Sequence, residues 1–208
     1  MNSKAVILAS NSDRMSTTSR YHVSDVRISE ELAWIEAAKK DPAAFEPLYN
    51  RYHEPIFRYI LQRVTDKDAA FDATADVFLK ALLNLYRFEF RGVPFSSWLY
   101  RIAANVLNDL FKSRKVRRAI HIDTAGLQLM AEEARWEDIE HMEFTLKMLG
   151  VALSELKDEE VQLIEMRFFE KRPFKEIAEI MGLTENNTKV KLYRLLDKIK
   201  QRLQHKHP

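Results

Sequence analysis

"GLTENNTKVKLYRLL", residues 182–196, sets a glycine helix breaker, an N-capping Thr184 and the asparagines Asn186 and Asn187 ahead of a helix that is basic on one face and apolar on the other. Thr188, Leu192, Leu195, Ile199 and Leu203 recur at helical spacing and predict the buried stripe. Asn187, Lys191, Arg194 and Lys198 are displaced from it, and Lys189, Val190 and Tyr193 complete a surface near the helix start. Just upstream, "PFKEIAEIMG" puts Phe174, Ile177, Ala178 and Met181 at helical spacing before Gly182. A short helix, a glycine turn and a second helix opening with Asn, Lys and Arg form a helix-turn-helix, whose second helix enters the major groove. Amide side chains there bond adenine edges and lysine reaches guanine. The competing reading is a solvated basic face on an ordinary bundle helix.

The rest of the chain is helical on the same logic. Only four Gly and six Pro among 208 residues give too few turn signals for a multi-stranded sheet protein, while 46% hydrophobic content suffices for cores. With no cysteine there is neither a disulfide framework nor a thiolate metal site, which fits a reducing compartment. No apolar run approaches the ~20 residues of a membrane span, so no membrane insertion is expected, and residues 1–26 read as a flexible leader. The net charge of +2 conceals segregation. "FKSRKVRR" (111–118) holds five cations, residues 123–143 carry seven acids against Arg135 alone, and Lys189 to Lys206 is basic again.

Working towards the N-terminus, Leu146, Leu149, Leu153 and Leu156 precede a helix capped by Asp158 with Val161, Ile164 and Phe168 inward. The acidic stretch 119–143, interrupted by Gly126, reads as a flexible linker with transient helix. A helix capped by Ser96 or Ser97 buries Leu99, Ile102, Ala103, Val106 and Leu110 and shows Arg101, Asn105, Asn108 and Lys112 on its outer face. Aromatics cluster ahead of it, and aromatic faces beside a basic groove are what unstacked bases need. Trp98 is expected to pack and Tyr100 to meet a base. Asp66 or Asp68 opens another helix, Asp41 and Pro42 open one that Pro47 kinks or delays, and Ser29 caps a short first helix. The expected organisation is 1–26 leader, 27–118 first domain, 119–143 linker and 144–208 helix-turn-helix domain. Enzymatic signatures are lacking: there is no phosphate-binding G-x-x-x-x-G-K-[ST], no H-E-x-x-H and no G-x-S-x-G. No enzyme activity, catalytic residue, metal or cofactor is expected.

"DPAAFEPLYNRY", "DAAFDATADVFLKAL", "FEFRGVPFSSWLYRIAANVLNDLFKSRKVRR" and "LSELKDEEVQLIEMRFFEKRPFKEIAEIMGLTENNTKVKLYRLLDKI" resemble, in this order, the two conserved domains of the extracytoplasmic-function (ECF) sigma factors of bacterial RNA polymerase, in the sigma-70 family. The resemblance implies an all-α chain of two small helical domains on a flexible acidic linker. It implies a cytoplasmic protein that binds core polymerase, recognises promoter minus-ten and minus-thirty-five elements and promotes DNA melting for transcription initiation. Carried over by position, Asp72, Asp76, Phe78 and Lys80 would meet the clamp coiled coil of the largest polymerase subunit, and the flap of the second largest would be a further contact. Arg91, Phe95, Ser96, Tyr100, Arg101, Asn105, Asn108, Lys112, Arg114 and Lys115 would serve the minus-ten element, with a pocket for an extruded base. Asn186, Asn187, Lys189, Val190, Tyr193 and Arg194 would read the minus-thirty-five element. The acidic linker would imitate RNA, and an anti-sigma factor is a further partner class. The chain departs from the family pattern at Phe71, where Glu is usual, at Ala75, where Gln is usual, and at Lys157, where Pro usually follows Leu. An autonomous dimeric helix-turn-helix regulator and a helical adaptor without DNA binding are the alternatives, and a regulator has no need of the first half.

Overall fold

A computed structural model describes residues 25–64, 66–113, 124–134, 149, 152–153 and 155–205. Helices carry it throughout, with no strand among the described residues. The first helix, α1 (Asp25–Lys40), starts ahead of Ser29, which therefore lies inside the helix and does not cap it. Its Ile35 and Ala38 are buried, and Arg51 of the next helix stacks over Trp34 at 4.1 Å. Asp41 caps a 3-10 turn, Pro42–Phe45, by accepting from the Ala43 N–H at 3.0 Å. That turn delays α2 (Glu46–Leu61), so Pro47 falls in its first turn, where the missing N–H costs little.

Asp66, and not Asp68, caps α3 (Lys67–Asn84), accepting from the Asp68 N–H at 3.1 Å. Ala70, Ala73, Thr74, Val77 and Ala81 bury its inner face against α2 and α4. The α4 helix (Phe95–Lys112) begins differently from the sequence reading. Pro94 at φ −58°, ψ 152° holds the chain extended before the first turn and its carbonyl accepts from Ser97 N at 2.9 Å. Ser96 and Ser97 thus lie inside the first turn, both buried, and neither caps it.

Within the acidic stretch, where the sequence reading allowed helix, residues Thr124–Ala134 form α5, and Leu127, Met130, Ala131 and Ala134, at i, i+3, i+4 and i+7, seat it on the C-terminal unit, while the rest of 119–143 lies outside the described residues. Arg167 bonds Glu133 at 2.6 Å across that seam. Helix α6 (Asp158–Ile164) has Lys157, not Asp158, at its N-cap, with the Lys157 N–H donating to Glu160 Oε2 at 2.9 Å. It runs on as a π-helical turn, Glu165–Phe169, and Lys171 follows at φ 52°. Then come α7 (Phe174–Met181) and α8 (Glu185–His205). Gly182 sits at φ 67°, a left-handed position that suits glycine. Its N–H bonds Glu179 O at 3.4 Å and Leu183 N bonds Ala178 O at 2.8 Å, a Schellman closure that stops α7. Thr184 Oγ1 then accepts from Asn187 N at 3.2 Å and starts α8, with Thr188, Leu192, Leu195 and Ile199 buried as their spacing predicts.

The two units do not lie apart. Helix α7 packs along α4, and the core runs through both units without a break.

Candidate nucleic-acid interface

On α3, Asp72 and Asp76 face solvent, and Lys80 pairs with Asp76 at 3.2 Å one turn on. Phe78 points the other way. It is 5% exposed and meets Tyr49 and Phe45 edge to face at 4.8 and 6.5 Å, so its part is to hold α3 on α2. The apolar part of this face comes from Phe71, Leu79, Leu83 and Tyr86, all exposed. Phe71, at the position departing from the family pattern, stacks on Phe57 at 4.6 Å. Sequence reasoning passed over Leu79 and Leu83. The available signal was their offset from the stripe of Ala70, Thr74, Val77 and Ala81, because leucines off the buried face of a helix must meet water or a partner.

The second surface combines the loop before α4 with the outer face of that helix. Arg91 and Asn105 are exposed, Arg101 and Asn108 half-buried, and Lys112 exposed, the last four sharing one side of α4. Arg114 and Lys115 lie outside the described residues. Phe95, Ser96 and Tyr100 are buried, because Phe95 packs on Tyr52 and Phe88, Ser96 sits in the first turn, and Tyr100 is enclosed between Tyr59 and Arg172. Trp98 packs as expected, on Phe88 and Phe95 with ring centres 5.5 Å away in each case, and its half-buried remainder lines a cleft of about 90 Å³ with Arg87, Arg91, Val93 and Arg101, whereas Tyr100, expected to meet a base, is wholly buried in this arrangement. That volume lies well below the ~300–1,000 Å³ typical of small-molecule sites, which suits a surface notch for one inserted group.

The third surface is the start of α8. Asn186, Asn187, Val190, Lys191, Tyr193 and Arg194 are exposed, and Lys189 is half-buried, held at 2.7 Å by Glu185 with its ammonium 5.5 Å from the Phe174 ring. Tyr193 donates to Glu133 of α5 at 3.0 Å, and this bond to a carboxylate, with some burial, pushes its phenol above the ordinary range.

Between the second and third surfaces lies a polar seam made by the residues just after α2, by α4, by the π-helical turn and by the segment running from Glu170 into α7. Arg63, two residues past the end of α2, donates from Nε to Glu165 Oε2 at 2.9 Å and lies 3.5 Å from Glu170 Oε1. Arg172 is wholly buried, bonds Glu176 at 2.6 Å and holds its guanidinium 3.8 Å from the Tyr100 ring centre. Burial opposes the charge of both arginines, but Glu165, Tyr59 and Glu170 around Arg63, and Tyr100, Glu176 and Glu170 around Arg172, outweigh it and raise both above the ordinary value. Sequence periodicity could not reveal this seam, since its partners are up to 102 residues apart.

Among the described residues no three His, Cys, Asp or Glu side chains gather to hold a metal ion, and no helix is long and apolar enough to cross a membrane.

Residues 48–117 match the family described as Sigma-70 region 2, and residues 152–201 match Sigma-70, region 4. The chain is 31% identical over 170 residues to the ECF RNA polymerase sigma factor BldN of Streptomyces coelicolor, covering 81% of this chain and 62% of BldN. It is 24% identical over 155 residues to the ECF RNA polymerase sigma factor SigM of Bacillus subtilis, covering 74% of this chain and 92% of SigM. Among solved structures, CnrH in complex with the cytosolic domain of CnrY matches at a TM-score of 0.56 and 21% identity, over 86% of this chain and 99% of CnrH. The sigma factor RpoE in complex with the anti-sigma factor NepR from Bartonella quintana matches at 0.51 and 16%, over 78% of this chain and 98% of RpoE. At these identities the two structures speak for the shared helical fold.

Proposed function

The chain belongs to the ECF sigma factors of the sigma-70 family, and from that premise we propose that it binds core RNA polymerase, recognises promoter minus-ten and minus-thirty-five elements and opens the DNA between strands. The observation that carries this reading is the occurrence of region 2 and region 4, in order on one chain, with a helix-turn-helix completed by Gly182 and Thr184 inside the second. An autonomous regulator would use the second alone. The α3 face of Asp72, Asp76, Leu79 and Leu83 serves as the polymerase contact, with Phe78 supporting it from below.

The division of labour follows from chemistry. At the start of α8, Asn186, Asn187, Lys189 and Arg194 supply donors for base edges and phosphates in the major groove. Arg91, Arg101, Asn105 and Asn108, beside the Trp98 cleft, supply cations and amides for an extruded base and its strand. Melting requires the strand-separated form to be bound better than duplex, and capture of an extruded base meets an unstacking cost of a few kcal/mol. No residue of this chain then needs to act on a covalent bond, since the polymerase performs the synthesis. The working compartment is the cytoplasm, where polymerase and promoter meet, and an anti-sigma factor is a fitting regulator. Reconstitution with core polymerase and run-off transcription from a candidate promoter tests the reading. Transcription that does not depend on this chain, together with tight sequence-specific binding by the chain alone at physiological salt, refutes it.

A further inference from the structure

Resting on that reading, we infer that Glu133 of α5 sets what the start of α8 can recognise: by accepting the hydroxyl of Tyr193 it leaves that phenol able only to accept, so Tyr193 selects a base that offers an amine in the major groove. Glu133 lies outside the helix-turn-helix and acts through Tyr193, as a positioning residue. Both of its carboxylate oxygens are engaged. Oε2 receives Arg167 Nη2 at 2.6 Å, and Oε1 receives the Tyr193 hydroxyl at 3.0 Å, sixty residues further along the chain.

The carboxylate is fixed from behind. Leu127 and Met130 of the same helix are wholly buried and hold α5 on the C-terminal unit. Arg167 belongs to the π-helical turn, and its guanidinium lies 4.7 Å from the centre of the Phe174 ring, which keeps it beside Glu133. The Glu133 side chain is only 19% exposed, whereas Tyr193 is 45% exposed, so the phenol is tied on its inner side and open on its outer one. The bond to Glu133 raises Tyr193 above the ordinary range, against the opposing pull of Arg167 and Lys189, and the phenol keeps its proton at neutral pH.

A phenol has one proton to donate and lone pairs with which to accept. Here the proton is committed to a carboxylate, a bond about twice as strong as one between neutral groups. What Tyr193 offers outward is therefore acceptor capacity and the edge of its ring. Adenine N6 and cytosine N4 present amines in the major groove, whereas guanine presents only the acceptors N7 and O6. Phosphate oxygens likewise only accept, so the same bond withdraws Tyr193 from contacts that carry no sequence information. Without Glu133 the hydroxyl turns freely and can donate to guanine or to phosphate, and the preference disappears.

Run-off transcription with core polymerase, from a template library randomised across the minus-thirty-five element and barcoded in the transcribed part, reads the preference. At one position of one strand the unaltered chain should favour adenine or cytosine over guanine about fivefold, the worth of a single hydrogen bond. Glu133→Ala should abolish that ratio and leave the other positions unchanged, while Glu133→Gln, which retains an acceptor oxygen, should keep it. In a Tyr193→Phe background the ratio should be absent and Glu133→Ala should change nothing further. Four results overturn the inference and leave the sigma reading standing: a profile unmoved by Glu133→Ala, a uniform loss at every position with a lowered urea midpoint, a shift that persists in the Tyr193→Phe background, or loss of the preference in Glu133→Gln. Carbon-13 magnetic resonance of the chain labelled at tyrosine Cζ is the separate arm. Tyr193, assigned by its absence from Tyr193→Phe, should titrate above the ordinary range and return towards it in Glu133→Ala, and equal titration in the two removes the bond and the inference with it. If the unaltered chain supports transcription from no template, the sigma reading and the base preference fall together, while the titration still decides whether Glu133 holds Tyr193.

Discussion

Replacing Arg63 by Met tests how firmly the two units are joined. The substitution removes the cation from a carboxylate that is 5% exposed, at the other side of a 2.9 Å contact, and leaves Glu165 buried and charged. Breaking such a pair costs about 3–5 kcal/mol when the charge stays buried. Here it has an escape, because the units can separate and let Glu165 reach water, so the loss cannot exceed the free energy of docking itself. Urea unfolding of a chain carrying Trp136→Phe, followed by tryptophan fluorescence, which then reports only Trp34 and Trp98 of the first unit, and by far-ultraviolet dichroism, which reports all helices, would separate the two cases. We expect coincident transitions in the unaltered chain. In Arg63→Met the transitions should divide and the hydrodynamic radius increase before unfolding. Adding Glu165→Leu should recover most of the loss, since an apolar pair in place of a buried ion pair is close to neutral. Recovery should be incomplete because Glu170, 3.5 Å from Arg63, still lacks that partner. Coincident transitions at the original midpoint in Arg63→Met would refute the reasoning and reduce the seam to an incidental contact.

Three further outcomes are expected. Lys189→Ala and Arg194→Ala should impair minus-thirty-five recognition and leave core polymerase binding unchanged. A lost guanine contact would appear as ~1–3 kcal/mol at one base pair in a promoter-variant series, whereas a lost phosphate contact would lower the salt slope by ~1. Asn105→Ala should spare polymerase binding and duplex capture but reduce open-complex formation in permanganate footprints, with partial rescue on a template already mismatched at the minus-ten position. Glu160→Gln tests a pH dependence. Burial works against the Glu160 carboxylate, but hydrogen bonds from Lys198 at 2.9 Å and the Lys157 N–H at 2.9 Å outweigh it and hold its pKa below the ordinary value. Its contribution is therefore complete above the usual carboxylate range and disappears as pH falls through the lowered folded value. The variant should lose up to ~1 kcal/mol at neutral pH and nothing in strong acid, measured by urea unfolding at each pH, since the group is partly exposed.

Periodicity and caps were enough for most elements, because they are local. Asp41, Asp66 and Thr184 cap where their side chains predict, and the α8 stripe is buried as its spacing requires. Local rules failed where two nearby signals competed: Pro94 fixed the start of α4 ahead of the serines, and the Leu127, Met130, Ala131 and Ala134 stripe was obscured by surrounding acids. Positions in the candidate interface were legible by resemblance, but their exposure was not. Tyr100 lies on an α4 side that faces α7, and nothing in residues 95–112 announces a partner seventy residues further on.

The docking of α5 on the C-terminal unit changes the tether between the two halves. While α5 stays seated, the chain joining Lys112 of α4 to Thr124 is residues 113–123, which even fully extended spans no more than ~40 Å. A tether that short keeps each half at an effective concentration on the order of millimolar in the presence of the other. Surface pairs too weak to join separate molecules, such as those of Glu179 with Arg91 and Arg101, then suffice to help hold the two halves together. Release of α5, whose Glu133 is held by Arg167 and Tyr193, would extend the tether towards the buried Leu149 and dilute each half relative to the other. The seating of one eleven-residue helix thus sets how far apart on a promoter the two reading surfaces can stand.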